Sequence, residues 1–226
     1  MSRQLSFDLA VRPALGREDF FVAPGNALAV ALVDSWPDWP SGKLLLIGPE
    51  GAGKTHLAHV FAAETGARIV EATALARAEI PALVATPLVV EDAHRIAGDT
   101  AAQDALFHLH NLALAERVPL LLTARDEPHR WGLTLPDLAS RMQGTQTARL
   151  EPPDDALLGA LLMKLFADRQ LSPAPEVIPW LLRRIERTFA AAQEVVARLD
   201  AAALDAGRPI TLPFARRVLD NPAKDA

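Results

Sequence analysis

Eight consecutive residues carry the most explicit chemistry in this chain: Gly48-Pro49-Glu50-Gly51-Ala52-Gly53-Lys54-Thr55. They satisfy G-x-x-x-x-G-K-[ST]. In that pattern glycines let backbone N–H groups curl around a phosphate, the lysine neutralises the outer phosphates and the hydroxyl ligates Mg2+. Gly48 to Thr55, with His56 directly after them, are the candidate nucleotide-binding residues. A second feature is Leu88-Val89-Val90-Glu91-Asp92, two carboxylates at the tip of an apolar run. Beside a phosphate loop, one carboxylate can hold Mg2+ through water and the other can orient an attacking water. Thr55 and Glu91 are the candidate metal residues, and Glu91 and Asp92 the candidate catalytic pair. A solvated strand end is the competing reading of that pair. The six His show no metal-ligand spacing with a third ligand. His56 and His59 stand three apart and His108 and His110 two apart, and all six read as partly buried or surface imidazoles.

These residues need particular elements to position them. Lys43 to Ile47 is a short apolar run ended by Gly-Pro, which reads as a buried strand, and residues 53–64 read as the helix that the loop opens. The helix N-terminus then adds partial positive charge at the phosphate site. Ala67 to Glu71, Pro87 to Glu91 and Val118 to Thr123 read as further strands. All-apolar runs separated by helices indicate a parallel sheet covered on both faces. Helical patterns are expected from Asn26 to Ser35 and from Thr100, as cap, to about Glu116. After Glu151-Pro152-Pro153 the texture changes, because paired prolines stop any preceding element. Helices are expected over 154–169, 176–186, 188–206 and 212–220, the last with Pro213 in its first turn. The expected organisation is a tail over 1–25, an α/β nucleotide-binding domain over 26–150 and a helical lid over 151–226.

Composition narrows the class. The chain has 226 residues, half of them apolar, a net charge of −5, and no Cys. That rules out disulfides, thiolate zinc sites and a Cys nucleophile. No run of about 18 apolar residues is present, so no transmembrane helix is expected. No basic segment followed by an apolar run marks a secretory signal, so the expected location is cytoplasmic. The acidic balance argues against a protein whose main task is gripping DNA phosphates. Residues 151–226 carry 11 acids and 10 bases, and the Arg183, Arg184, Arg187 cluster reads as a solvated helix face.

Several motifs in order resemble the DnaA-related AAA+ ATPases. The segment GKTHLAHVFA continues the phosphate loop as in that family. Leu138-Ala139-Ser140-Arg141-Met142, followed by Leu150-Glu151-Pro152-Pro153, resembles the family's "box VII" and the start of its lid. Arg208-Pro209-Ile210-Thr211 with Phe214 resembles the end of that lid. The match covers roughly residues 20–220. Two features resemble the Hda type of this family, the regulatory inactivators of DnaA, in their α-proteobacterial form. Six residues follow Asp220, which leaves no room for an initiator's helix-turn-helix domain. Gln4-Leu5-Ser6-Phe7-Asp8-Leu9 resembles the motif by which proteins dock on the replication sliding clamp, the DNA polymerase III beta subunit. Gln4 would hydrogen-bond in one subsite while Leu5, Phe7 and Leu9 fill an apolar groove. An alternating apolar segment can also add to a sheet edge, so tail-mediated pairing of two copies is the rival reading.

The resemblance implies an α/β fold: a P-loop AAA+ core with a parallel five-stranded sheet flanked by helices, followed by a small all-helical lid. It implies ADP or ATP with Mg2+ as ligands, DnaA and the sliding clamp as partners, DNA contact only through the clamp, and no membrane. The implied activity is stimulation of hydrolysis of DnaA-bound ATP, with Arg141 matching the family's arginine finger, presented in trans. An ordinary surface salt bridge is the competing reading of Arg141. Three departures stand out. Glu91 occupies a position where the family has Asp. At sensor 1, Thr123-Ala124-Arg125-Asp126 exchanges acid and base, which makes Arg125 a candidate catalytic residue. At sensor 2, Ala190 stands in place of the lid Arg, with Arg187 one turn earlier as a partial substitute. Weak intrinsic ATPase activity and little ATP/ADP discrimination are expected from Ala190 together with the rearranged sensor 1. The alternatives are a stand-alone ATPase of the loader or remodelling type, and a nucleotide-binding adaptor without hydrolysis.

Overall fold

The computed structural model describes residues 16–17 and 20–220, and the Gln4–Leu9 motif lies outside them. Five strands form one parallel sheet: β1 (Lys43–Ile47), β2 (Arg68–Glu71), β3 (Leu88–Glu91), β4 (Leu120–Ala124) and β5 (Thr147–Arg149), in the order β2-β3-β4-β1-β5. Strands β1 and β4 are buried at every position. The reason is visible in alternation along β1. Leu45 and Ile47 enter one core with Leu88, Val90, Leu120 and Leu122, while Leu44 and Leu46 enter the opposite core with Val89, Leu121 and Ala148. Both faces are covered, so these strands are apolar apart from two buried polar positions, Lys43 at the start of β1 and Thr123 near the end of β4.

Helices supply the cover. On one face lie α3 (Ile80–Leu83), α4 (Thr100–Ala115) and α5 (Pro136–Gln143), which contribute Leu106, Leu109, Leu138 and Met142. On the other lie α1 (Ala27–Asp34) and α2 (Lys54–Thr65), which contribute Val30, Val33, Leu57 and Phe61. Trp39 stacks on Phe61 at 5.2 Å between ring centres. Beyond β5 the chain is helical: α6 (Asp155–Asp168), α7 (Val177–Leu181), α8 (Phe189–Ala206) and α9 (Leu212–Asp220) close around a separate core of Leu158, Leu162, Phe166, Leu181, Val196 and Phe214. Side-chain caps start four helices: Asp99 on α4, Asp154 on α6, Thr188 on α8 and Thr211 on α9.

Local differences from the sequence pattern have physical causes. Asp99, not Thr100, caps α4, its carboxylate accepting from the Ala102 amide at 3.0 Å. Strand β4 starts at Leu120 rather than Val118, because the Val118 amide donates to Ala113 O and closes the end of α4. Helix α7 stops at Leu181, after which Arg184 bonds back to Leu181 in a tighter turn. The apolar runs identify four strands. The fifth, β5, is Thr-Ala-Arg at a sheet edge with only Ala148 buried, so it offers no apolar run to detect.

The end of β1 is packed tightly. A Cβ on Gly48 would lie 3.2 Å from Leu150 Cβ and inside contact distance of the Leu150 carbonyl oxygen. Gly48→Ala is therefore expected to destabilise the fold by about 1–3 kcal/mol through overpacking, read as a lower urea midpoint with an unchanged slope.

A candidate nucleotide cleft at the carboxyl end of the sheet

The carboxyl ends of β1, β3 and β4 open into one cleft of about 620 Å3, the place where open parallel sheets bind ligands. The phosphate-loop residues form one wall. Gly51 and Gly53 adopt positive φ of 73° and 94°, a conformation that carries no penalty only for glycine. Helix α2 then begins without a side-chain cap. The amides of Gly53, Lys54, Thr55 and His56 donate to no described residue. Such orphan donors at a helix N-terminus are the groups that receive an anion. Lys54 Nζ donates to the carbonyls of Gly48 at 2.8 Å and Pro49 at 2.9 Å, so its ammonium is held against the loop. Burial lowers its pKa, while the carboxylates of Asp92, Glu50 and Glu91 pull the other way. Ala52 is buried and serves packing, while His56 faces the cleft edge. Its Nε2–H donates to the Gly16 carbonyl at 3.0 Å, and Phe20 meets its ring edge-on at 5.1 Å.

The second wall comes from the ends of β3 and β4. Glu91 Oε1 is buried and has no hydrogen-bond partner among the described residues. An orphan buried carboxylate oxygen is costly unless a cation or water meets it. Asp92 lines the cleft and Glu91 is outside its lining, so the orphan oxygen suits contact with Mg2+ through water, which the ion retains beside phosphates. Among the described residues no group of three acidic, His or Cys side chains forms a metal cage. Asp92 sits in the left-handed region at φ 54°, held by its amide donating to Thr123 Oγ1 at 3.0 Å. Asp tolerates this conformation better than most residues, and such positions recur at functional sites. Thr123, at the sensor 1 position, is thus a brace under Asp92.

Two residues outside the sequence motifs join this wall. The Arg125 amide donates to His94 Nδ1 at 3.3 Å, which puts the ring proton on Nε2. Burial lowers the His94 pKa, consistent with a neutral acceptor. Arg95 Nη1 lies 3.7 Å from Asp92 Oδ2. His94, Arg95 and Arg125 all line the cleft, so its charge comes from the core. The adjacency of His94 and Arg95 to the Glu91-Asp92 pair is the sequence signal that could have found them.

The lid closes the third side through Phe189, Ala190 and Gln193. The Phe189 amide donates to the Gly51 carbonyl at 3.1 Å. No sequence pattern marks Phe189 or Gln193 for this role. Ala190 presents only a methyl group to the cleft. Arg187 does not supply a guanidinium there: it precedes the Thr188 cap, so it is off the first face of α8, and it pairs with Asp155 at 2.9 Å. Arg141 lies outside the cleft. It is exposed on α5, and its guanidinium makes no hydrogen bond or ion pair among the described residues.

Comparisons with known proteins agree with this geometry. Residues 155–219 match the family model described as Hda, lid domain, and residues 44–107 match the ATPase family associated with various cellular activities (AAA). Among solved structures, the chain is similar to domain III of the Thermotoga maritima replication initiation protein DnaA. Identity is 20%, with 95% of this chain and 99% of that one covered at a TM-score of 0.80. It is similar to AMPPCP-bound DnaA from Aquifex aeolicus, at 19% identity, 94% and 71% coverage and TM-score 0.75. The Thermotoga maritima RuvB Holliday junction branch migration motor matches at 17% identity, 86% and 66% coverage and TM-score 0.68. At these identities the likeness to solved structures is one of fold.

Lys54→Ala removes the ammonium aimed at the loop. It is expected to weaken binding of a fluorescent adenine nucleotide about 10- to 100-fold, the equivalent of one charge-assisted hydrogen bond at about 1.5–3 kcal/mol, with the thermal midpoint of the free protein little changed.

Proposed function

We propose a regulatory role in replication initiation for this chain, which is an Hda/DnaA-related AAA+ protein. In this reading it binds an adenine nucleotide, ADP or ATP with Mg2+, docks on the DNA-loaded sliding clamp and stimulates hydrolysis of ATP held by DnaA. The observation that carries the proposal is an unpaired arginine presented away from the chain's own cleft, on a protein with an Hda-type lid. An arginine that serves its own nucleotide would face the cleft. One that serves a neighbour must be exposed and uncommitted, as Arg141 is among the described residues. A guanidinium brought to a neighbour's γ-phosphate stabilises transition-state charge, an effect worth roughly 10³–10⁵ in rate in GTPases.

Within the chain's own cleft, the Gly48–Thr55 loop would hold the phosphates, and Thr55 and Glu91 would hold Mg2+, which neutralises phosphate charge when bound. Asp92 would orient water, and Arg125, with its amide fixed by His94, would lie near the outer phosphates. The tail residues Gln4, Leu5, Ser6, Phe7, Asp8 and Leu9 would make the clamp contact, with DNA met only through the clamp. No described helix is long and apolar enough to cross a membrane, and a cytoplasmic site of action fits both partners. A second reading, an ATPase in its own right, is favoured by the meeting of Lys54, Asp92 and Arg125 in one cleft.

Three measurements test this. Arg141→Ala is expected to cut clamp-dependent hydrolysis of DnaA-bound ATP by about 10³-fold while nucleotide binding by this chain stays intact. Retained full stimulation would remove the finger. Gln4→Ala is expected to abolish capture on loaded clamp without changing the fold. Since Ala190 makes no phosphate contact, basal turnover at saturating ATP and Mg2+ is expected to be far below that of an initiator ATPase, with similar affinities for ATP and ADP. Comparable turnover would favour the second reading.

A further inference from the structure

Lys43 opens β1 and is only 8% exposed, although the four residues after it in the strand are apolar. No carboxylate pairs with it among the described residues. Its Nζ donates to His110 Nε2 at 2.8 Å and to the Arg141 carbonyl oxygen at 3.2 Å. Burial, and secondly the positive charge of Arg141, lower its pKa. A buried ammonium without a counter-ion is expensive compared with an aliphatic side chain of similar length. The fold therefore carries a cost at this point that packing alone does not explain.

The surroundings show what the ammonium holds. His110, on α4, is 1% exposed. Its Nδ1 faces Asn111 Oδ1 at 3.3 Å, which places the ring proton there and turns the Nε2 lone pair toward Lys43. Burial and the nearby Lys43 charge keep the imidazole pKa low, so the ring stays a neutral acceptor. The Arg141 carbonyl belongs to the last turn of α5, where carbonyls lack helical partners. Its two donors are side chains: Lys43 Nζ, and Thr145 Oγ1 at 2.9 Å. A cation at a helix C-terminus is also favoured by the helix dipole. The main chain of Arg141 is thus pinned from inside the fold while its guanidinium stands exposed outside. The like charge of Lys43 beneath it opposes any folding back.

We propose that Lys43, braced by His110 and bonded to the Arg141 carbonyl, is a positioning residue that sets where the Arg141 guanidinium is presented to a neighbouring nucleotide. This rests on the reading of Arg141 as a finger acting in trans. A misplacement of about 1 Å in a catalytic group can cost on the order of 10²-fold in rate, so a last-turn anchor has a measurable consequence.

The test uses the full chain with loaded clamp and DnaA–ATP, titrated to separate the plateau rate from the half-saturating concentration. Lys43→Met is expected to lower the plateau at least about 10-fold with the half-saturating concentration unchanged. Lys43→Arg is expected to recover most of it. In Arg141→Ala the Lys43→Met change is expected to cost nothing further, since paired residues that act as one do not add. Amide hydrogen exchange should quicken in residues 136–143 of Lys43→Met and not in α2. Should Lys43→Met fail to fold, His110→Leu and His110→Gln replace it: loss of plateau rate in the first and retention in the second are expected, because only Gln keeps an acceptor. A wild-type plateau in Lys43→Met, or in His110→Leu where that variant stands in, while Arg141→Ala is inactive, overturns the proposal and leaves the finger standing. A wild-type rate in Arg141→Ala overturns both.

Discussion

The end of β1 is crowded from two directions, and only glycine permits the crowding. On one side the backbone of Gly48 runs against Leu150, just past β5. On the other, Gly51 meets the Thr188 side chain at the start of α8, where any Cβ would overlap it. The phosphate loop is thus wedged between the last strand of the sheet and the first turn of a lid helix. Its shape is set by both neighbours as well as by its own φ angles. The residues at the start of α2 line the cleft, and their amides donate to no described residue. Sheet order follows the same logic: β1 must lie beside β5 for Leu150 to reach Gly48.

Charge in the cleft is distributed unevenly between its two domains. Lys54, Arg95 and Arg125 all belong to the sheet domain, together with the carboxylates Glu50 and Asp92 on the cleft and Glu91 close to it. The lid side carries a methyl group, an aromatic ring and an amide. Opposite charges packed on one wall hold one another in place: Arg95 lies by Asp92, and Lys54 feels three carboxylates. A lid without a charge of its own gains little electrostatic energy from a third phosphate. The expected indifference to ATP against ADP has this physical origin.

The elements whose side chains alternate between two buried faces could be read directly. Strands β1 and β4 are unbroken Leu-rich runs, and the phosphate loop has both its glycines and its flanking elements in the sequence. Lid helices α6, α8 and α9 also follow their patterns closely. What could not be read depended on partners distant in the chain. Strand β5 is defined by its seat beside β1, since Thr147 and Arg149 have no apolar signal. Helix α5 is short, and its Leu138 and Met142 become recognisable only against the sheet core. Likewise His110 reads as an ordinary histidine until Lys43, 67 residues away, is found against its ring. Arg187 misled for the opposite reason: three residues from Ala190 means a shared face only inside a helix, and the Thr188 cap lies between them.

The hydrogen bond from the Phe189 amide to the Gly51 carbonyl joins the lid to the phosphate loop by main-chain atoms on both sides. Substitutions short of proline at position 189 leave both atoms in place. Attachment of the lid is therefore separable from whatever side chains the first turn of α8 happens to carry. The lid is seated on the loop here with only a methyl group at position 190. A lid held by the path of the main chain stays on the phosphate loop whatever side chains its first turn offers to a nucleotide.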